Sequence, residues 1–176
     1  MDGRFLQAED VAGLWDEAVE AEADGADAVF VSDGPLGDPV VLAAALSSTV
    51  RRALLGVRTS LTAGRHPAVL ARELTTLDLV CGARSVLCVA PPFSEPDPLT
   101  EAIELCRALW REGEADGGTY FPVAGAVNRP RPATGTSPLL ALDLTARDEP
   151  APELVGAVDL LLRPTDDPAV CRLERT

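Results

Sequence analysis

Short apolar runs alternate with amphipathic stretches along the chain. Asp10 is placed to cap a helix reaching about Asp24, with Val11, Leu14, Trp15, Ala18 and Val19 along one face, and Gly25 ends it. Ala28-Val29-Phe30-Val31 reads as a buried strand, being short, apolar and partly β-branched. Asp38-Pro39 opens a helix that is apolar nearly all round as far as Val50. Leu54-Leu55-Gly56-Val57 is the next strand, and His66-Pro67 starts a helix to about Val80 that Gly82 stops. Ser85 to Ala90 reads as a strand. Asp97-Pro98 then looks like a cap and first turn, with Leu99, Ala102, Ile103, Cys106, Leu109 and Trp110 on one face before Gly113. Leu139 to Leu144 and Val158 to Leu162 are two more strands, with a short helix around Glu153 between them.

Strands alternating with helices in this way predict a parallel sheet of βαβ units. At about 30 residues per unit, 176 residues hold about six, whereas a full (β/α)₈ barrel takes ~250. The expected fold is therefore α/β: an incomplete or reduced TIM-type (β/α) barrel, mostly parallel, with outer helices, in one domain over 1–176. Gly117 to Pro138, with four Pro and four Gly, breaks the rhythm and reads as an excursion outside the main sheet. An incomplete sheet leaves edges to be covered by that excursion or by a partner chain.

Composition narrows the chemistry. All 15 bases are Arg, so Schiff-base lysines and Walker-type phosphate loops are excluded. One His excludes a multi-histidine metal cage, and no metal site is expected. A formal charge of −13 argues against nucleic acid and anionic membranes as partners. There is no apolar run of ~18 residues, and Met1-Asp2-Gly3-Arg4 does not open a signal peptide. Cys81, Cys88, Cys106 and Cys171 lack Cys-x-x-Cys spacing, so free thiols in a cytoplasmic protein are expected.

Several segments, taken in order, resemble the bacterial-luciferase-like monooxygenases. They are Gly25-Ala26-Asp27-Ala28-Val29-Phe30-Val31-Ser32-Asp33, Asp38-Pro39-Val40-Val41-Leu42-Ala43-Ala44-Ala45-Leu46 and Leu55-Gly56-Val57. Arg65-His66-Pro67-Ala68-Val69-Leu70-Ala71-Arg72-Glu73, Thr76-Leu77-Asp78, Gly82-Ala83-Arg84 and Val86-Leu87 follow. The match covers roughly Ala18 to Gly113. The resemblance implies a (β/α)₈-type barrel, commonly dimeric, that uses FMN or a deazaflavin coenzyme across the carboxyl ends of its strands, for oxidoreductase or monooxygenase chemistry.

On that resemblance Asp33 is the candidate catalytic residue, although Gly34 stands where the family carries a His; the alternative is a turn Asp. Thr59, Ser60, Leu61 and Thr62 occupy the stretch that passes the flavin in relatives, or form an ordinary polar βα loop. Cys88 and Ala90 replace glycines at the expected cofactor wall, with core packing the alternative for Cys88. Asp143 either points into the same mouth or lies at an edge. His66 reads as a helix-start residue, Arg65 as a structural or anion-binding one, and Arg129-Pro130-Arg131 as a loop with a weak claim to phosphate. The apolar character of helices 39–50 and 67–80 argues independently for a homodimer through that pair. The rival to a flavin enzyme is a truncated, non-catalytic relative serving as a dimeric subunit or small-molecule binding protein.

Overall fold

The computed structural model describes residues 1–60, 65–90, 97–132, 137–145 and 152–176. Its elements are β1 (Asp2–Phe5), α1 (Val11–Ala23), β2 (Ala28–Ser32), α2 (Pro39–Leu46), β3 (Leu54–Thr59), α3 (Pro67–Cys81) and β4 (Ser85–Val89). There follow α4 (Asp97–Arg111), β5 (Glu114–Ala115), β6 (Ala126–Val127), β7 (Leu139–Asp143), α5 (Pro152–Ala157), β8 (Leu160–Pro164) and β9 (Val170–Arg175). Among the described residues, β1-β2-β3-β4-β7-β8-β9 close into a barrel. The neighbours from β1 to β8 pair in parallel. β9 alone runs antiparallel, to β8 on one side and β1 on the other.

The expected reduced barrel is thus present, and its sheet is closed. Exposed edges were expected; instead β9 turns back from β8, pairs with β1 and removes both. Its sequence explains this: Cys171 and Leu173 are buried while Arg172 and Glu174 face solvent, a period-two pattern suited to a strand with one wet face. The parallel strands are apolar on both faces because helices cover the outside. Ala28, Phe30, Val86, Cys88, Ala141, Leu160 and Leu162 pack inside the barrel, joined by Cys171 and Leu173. Val29, Val31, Leu55, Val57, Leu87, Val89, Leu140 and Leu142 pack outward against the helices.

Phe30 is fully buried in the interior and lies beside Gly56, its register partner on β3. A Cβ at Gly56 would sit 2.0 Å from Phe30 Cδ1, and one at Gly3 would sit 2.9 Å from Phe30 Cε2 and Cys171 Sγ. Both glycines make room for the ring.

Local signals set the helix starts. Asp10 accepts from Gly13 N at 2.8 Å, and Asp38 from Val40 N and Val41 N at 2.9 and 3.1 Å. Gly82, at φ 69°, ends α3 in the left-handed region. In α1 the buried stripe is Leu14, Ala18 and Ala21, while Val11 and Val19 are exposed; Val19 lies about 100° round the helix from Ala18. α2 stops at Leu46 rather than Val50, and Ser47 Oγ turns back onto the Ala44 carbonyl at 2.6 Å.

The excursion leaves the foot of α4 and lies along α3 and α4. Its described part pairs β5 with β6 antiparallel. The Glu101 carboxylate accepts from Thr119 N, Tyr120 N and Phe121 N at 2.8, 3.0 and 2.6 Å. Asn128 Nδ2 donates to Thr75 Oγ1 at 2.9 Å, and Trp110 Nε1 to the Ala71 carbonyl at 2.9 Å. These contacts cover much of the apolar surface of α3 within the chain. Exposed apolar side chains remain at Val41 on α2 and at Val69, Leu79 and Val80 on α3.

Two predictions follow from this packing. Gly56→Ala should cost about 1–3 kcal/mol in urea unfolding, and combining it with Phe30→Leu should cost less than the sum of the two single changes. The second concerns acid. Desolvation acts upward on the Glu101 pKa, but the Tyr120, Phe121, Thr119 and Gly118 backbone N–H groups outweigh it and hold the group below its ordinary value. A depressed carboxylate pKa makes the clamp's contribution complete at neutral pH and loses it as pH falls through the folded value. The amide NMR signals of Thr119, Tyr120 and Phe121 should therefore titrate together with a midpoint below that of an ordinary glutamate, and should not do so in Glu101→Gln.

Candidate functional site at the barrel mouth

The carboxyl ends of β1 to β4, β7 and β8 gather at one end of the barrel, as parallel βα units require. Strand parity decides which side chains reach the interior there. On β3, Leu54, Gly56 and Arg58 share the inward face, while Leu55, Val57 and Thr59 face the helices. On β7, Leu139, Ala141 and Asp143 face inward.

Arg58 and Asp143 meet across the mouth, with Nε donating to Oδ2 at 2.6 Å. Arg58 also lies over the Phe5 ring, 5.2 Å from its centroid. Phe5 on β1 and Asp143 on β7 are each two strands away from β3, on opposite sides. The guanidinium therefore stands over the barrel axis. The Asp143 side chain is 3% exposed and that of Arg58 34%. Asp143 Oδ1 is fixed by Thr145 N at 2.8 Å and Thr145 Oγ1 at 2.6 Å. Sequence reasoning flagged Asp143 but missed Arg58. The signal was there: alternation from Leu54 through Gly56 carries Arg58 inward once β3 is extended to Thr59.

Asp33 continues β2 on the outward parity. It is exposed at the lip, its N–H donates to the Arg58 carbonyl at 3.1 Å, and its Oδ2 accepts from Thr59 Oγ1 at 2.5 Å and Ser60 N at 3.3 Å. Asp33, Thr59 and Ser60 thus form one hydrogen-bonded rim, with Asp33 beside the barrel interior rather than over it. A cavity of about 400 Å³ adjoins its outer side, lined among others by Leu6, Leu14, Val31, Asp33, Pro35 and Leu36. Ala90 stands at the rim of β4, where its N–H donates to the Thr59 carbonyl at 3.2 Å. Leu61 and Thr62 lie outside the described residues.

Cys88 is wholly buried in the barrel interior, beside Arg58 in register. Burial pushes its thiol well up, nearby Asp143 pushes the same way, and Arg58 opposes both. Cys171 is likewise pushed up to about 12, by burial first. Both are neutral packing thiols beneath the ion pair.

The remaining candidates are structural. His66 caps α3, its Nδ1 accepting from Ala68 N at 3.2 Å, and stands edge-on to Phe121. Arg65 pairs with Asp38 and, at 3.3 Å, with Glu73, tying the N-cap of α2 to the second turn of α3. Burial raises the Glu73 pKa, against the pull of Arg65. Arg131 donates to the Arg111 carbonyl at the far end of α4, away from the mouth.

The closed, mostly parallel barrel with its polar mouth defines a reduced (β/α)-barrel of the kind that binds ligands at its strand ends. The model of the luciferase-like monooxygenase family matches residues 2–158, and the chain belongs to that family. No curated protein matches it in sequence. Among solved structures it is similar to an F420-dependent secondary alcohol dehydrogenase in complex with an F420-acetone adduct. That match has TM-score 0.72 and 19% identity, covering 92% of this chain and 57% of the other. The coenzyme F420 dependent tetrahydromethanopterin reductase from Methanopyrus kandleri matches with TM-score 0.67 and 15% identity, over 92% and 54%. The oxygenating constituent of the 3,6-diketocamphane monooxygenase of Pseudomonas putida, in complex with FMN, matches with TM-score 0.63 and 18% identity, over 81% and 48%. At these identities the likeness is one of fold, and the chain spans about half the length of such relatives. Among the described residues, no helix is long and apolar enough to cross a membrane.

The ion pair has a measurable consequence. Arg58→Gln strips a nearly inaccessible carboxylate of its charged partner and should cost about 2–3 kcal/mol in urea unfolding. Arg58→Gln combined with Asp143→Asn should recover most of that loss, because no buried charge is left unpaired.

Proposed function

We propose that the chain binds the planar ring of a flavin or deazaflavin across the barrel mouth and acts as an oxidoreductase of the luciferase-like type. The observation that carries this reading is the rim: Ser32 ends β2, and Ser60 and Ala90 directly follow β3 and β4, so three successive strands reach the mouth in small side chains. Small side chains let backbone approach a flat ring. Family membership and the FMN- and F420-binding neighbours support the choice of ligand. When bound, such a ring supplies the redox step, passing electrons between itself and a substrate.

The residues' part is to hold and orient. The backbone of Thr59, Ser60 and Ala90 would line the ring. Asp33, through Thr59 Oγ1 and Ser60 N, is a positioning residue that keeps the β3 rim in place. Cys88 contributes by filling the interior beneath. Arg58 and Arg65 at this end have their charges offset by Asp143 and by Asp38 and Glu73, so neither is a ready grip for a phosphate dianion, and the proposal concerns recognition of the ring rather than of a phosphate tail.

That pairing, with Gly34 following Asp33, favours a second reading: a cofactor-free dimeric relative. Val69, Arg72, Thr76 and Val80 share the exposed stripe of α3, and Val41 is exposed on neighbouring α2. On this reading these side chains meet a second copy.

Fluorescence titration separates the two. Saturable quenching of FMN or of F420 by the purified chain, weakened about tenfold (about 1.4 kcal/mol) by Asp33→Ala, is the expected result. Failure of both ligands to bind, with a dimer in light scattering that Val69→Asp/Val80→Asp converts to monomer, would establish the second reading instead.

A further inference from the structure

Arg58 is held from behind, and its side chain is 34% exposed. Its Nε is engaged by Asp143 and its face by Phe5, and no hydrogen bond among the described residues engages Nη1 or Nη2. Asp143, buried and held by Thr145, cannot follow the guanidinium outward, so the fork keeps one orientation over the barrel axis. Two parallel N–H donors on a fixed guanidinium match the two oxygens of a carboxylate. The site's charge selects among anions. Asp143 already offsets Arg58, so a monoanion adds a single excess negative charge beside a buried carboxylate, whereas a phosphate dianion adds two. Phe5, partly buried beside the guanidinium, adds apolar surface at the mouth that suits a ligand whose body is apolar.

We propose that the Arg58 fork is a receptor for the carboxylate of a small, largely apolar organic acid, the substrate class of this mouth. The inference rests on the mouth being the binding end, as in the functional reading above, but needs no bound cofactor. Asp143 and Thr145 serve as positioning residues: they set the direction of the fork and do not touch the ligand.

The test uses the full chain without cofactor, isotope-labelled, and sodium benzoate as the probe. The expected result is a saturable shift of the Arg58 Nε–H signal and of the Phe5 and Thr145 amides. Benzamide, the neutral isostere, and inorganic phosphate should give no saturable shift at the same sites. Arg58→Gln/Asp143→Asn, shown to be folded by the same spectrum, should weaken benzoate at least about tenfold. Arg58→Lys, which keeps the charge but loses the fork, should also weaken it. The proposal is overturned if benzoate does not bind, if benzamide binds as well, if phosphate binds more tightly, or if the double variant binds benzoate undiminished. Benzoate binding without any flavin binding would leave this inference standing and remove the cofactor reading; the opposite pattern would remove this inference alone.

Discussion

Phe30 fills the space that a barrel of this size must fill. A closed sheet has room inside for a few side chains only, and one aromatic ring takes much of it. Gly3 and Gly56 make room for the ring from either side of β2. Cys88, Ala141, Leu162 and Cys171 complete the packing. With the interior occupied by apolar groups, the inward-facing polar residues Arg58 and Asp143 have one place to go, the carboxyl end of the barrel. The apolar filling below thus determines the chemistry above.

The ion pair at the mouth follows from that constraint. Desolvating two charges takes back much of what their attraction gives, so a pair of this kind contributes little net stability even though breaking it is costly. Its effect is directional. Asp143 is locked by two bonds from Thr145 and in turn locks the guanidinium, while Phe5 supports its face. Preorganisation of this sort lowers the entropy that a ligand must overcome on binding. The outer rim is fixed separately, by Asp33 on Thr59 and Ser60.

Much of this was legible in the sequence. The strands at Ala28, Leu54, Ser85, Leu139 and Leu160 are apolar on both faces and stand out from their surroundings. Asp10, Asp38, His66 and Gly82 mark helix ends by local chemistry that tertiary packing does not override. β1 was not legible: Asp2-Gly3-Arg4-Phe5 carries one large apolar residue, and it is a strand because Gly3 fits beside Phe30. β9 does carry a period-two pattern, yet its antiparallel return from β8 breaks the βαβ rhythm that organised the reading. The site was half legible. The ordered resemblance pointed to the carboxyl end of the strands, and Asp33, Thr59, Ser60 and Ala90 do lie together on that rim. It did not reveal that parity turns Asp33 and Thr59 outward and Arg58 inward, because that depends on where β3 ends.

On the proposed reading, a ligand ring is received at one end of this barrel, built from the carboxyl ends of its parallel strands. Mapping amide NMR shifts across the chain as FMN or F420 is added tests it most directly. Perturbations are expected at Ser32, Thr59, Ser60, Ala90 and Thr145, with Asp2, Ala28 and Leu54 at the opposite end unmoved. Shifts concentrated at that opposite end, or no localised shifts with either cofactor, would contradict it.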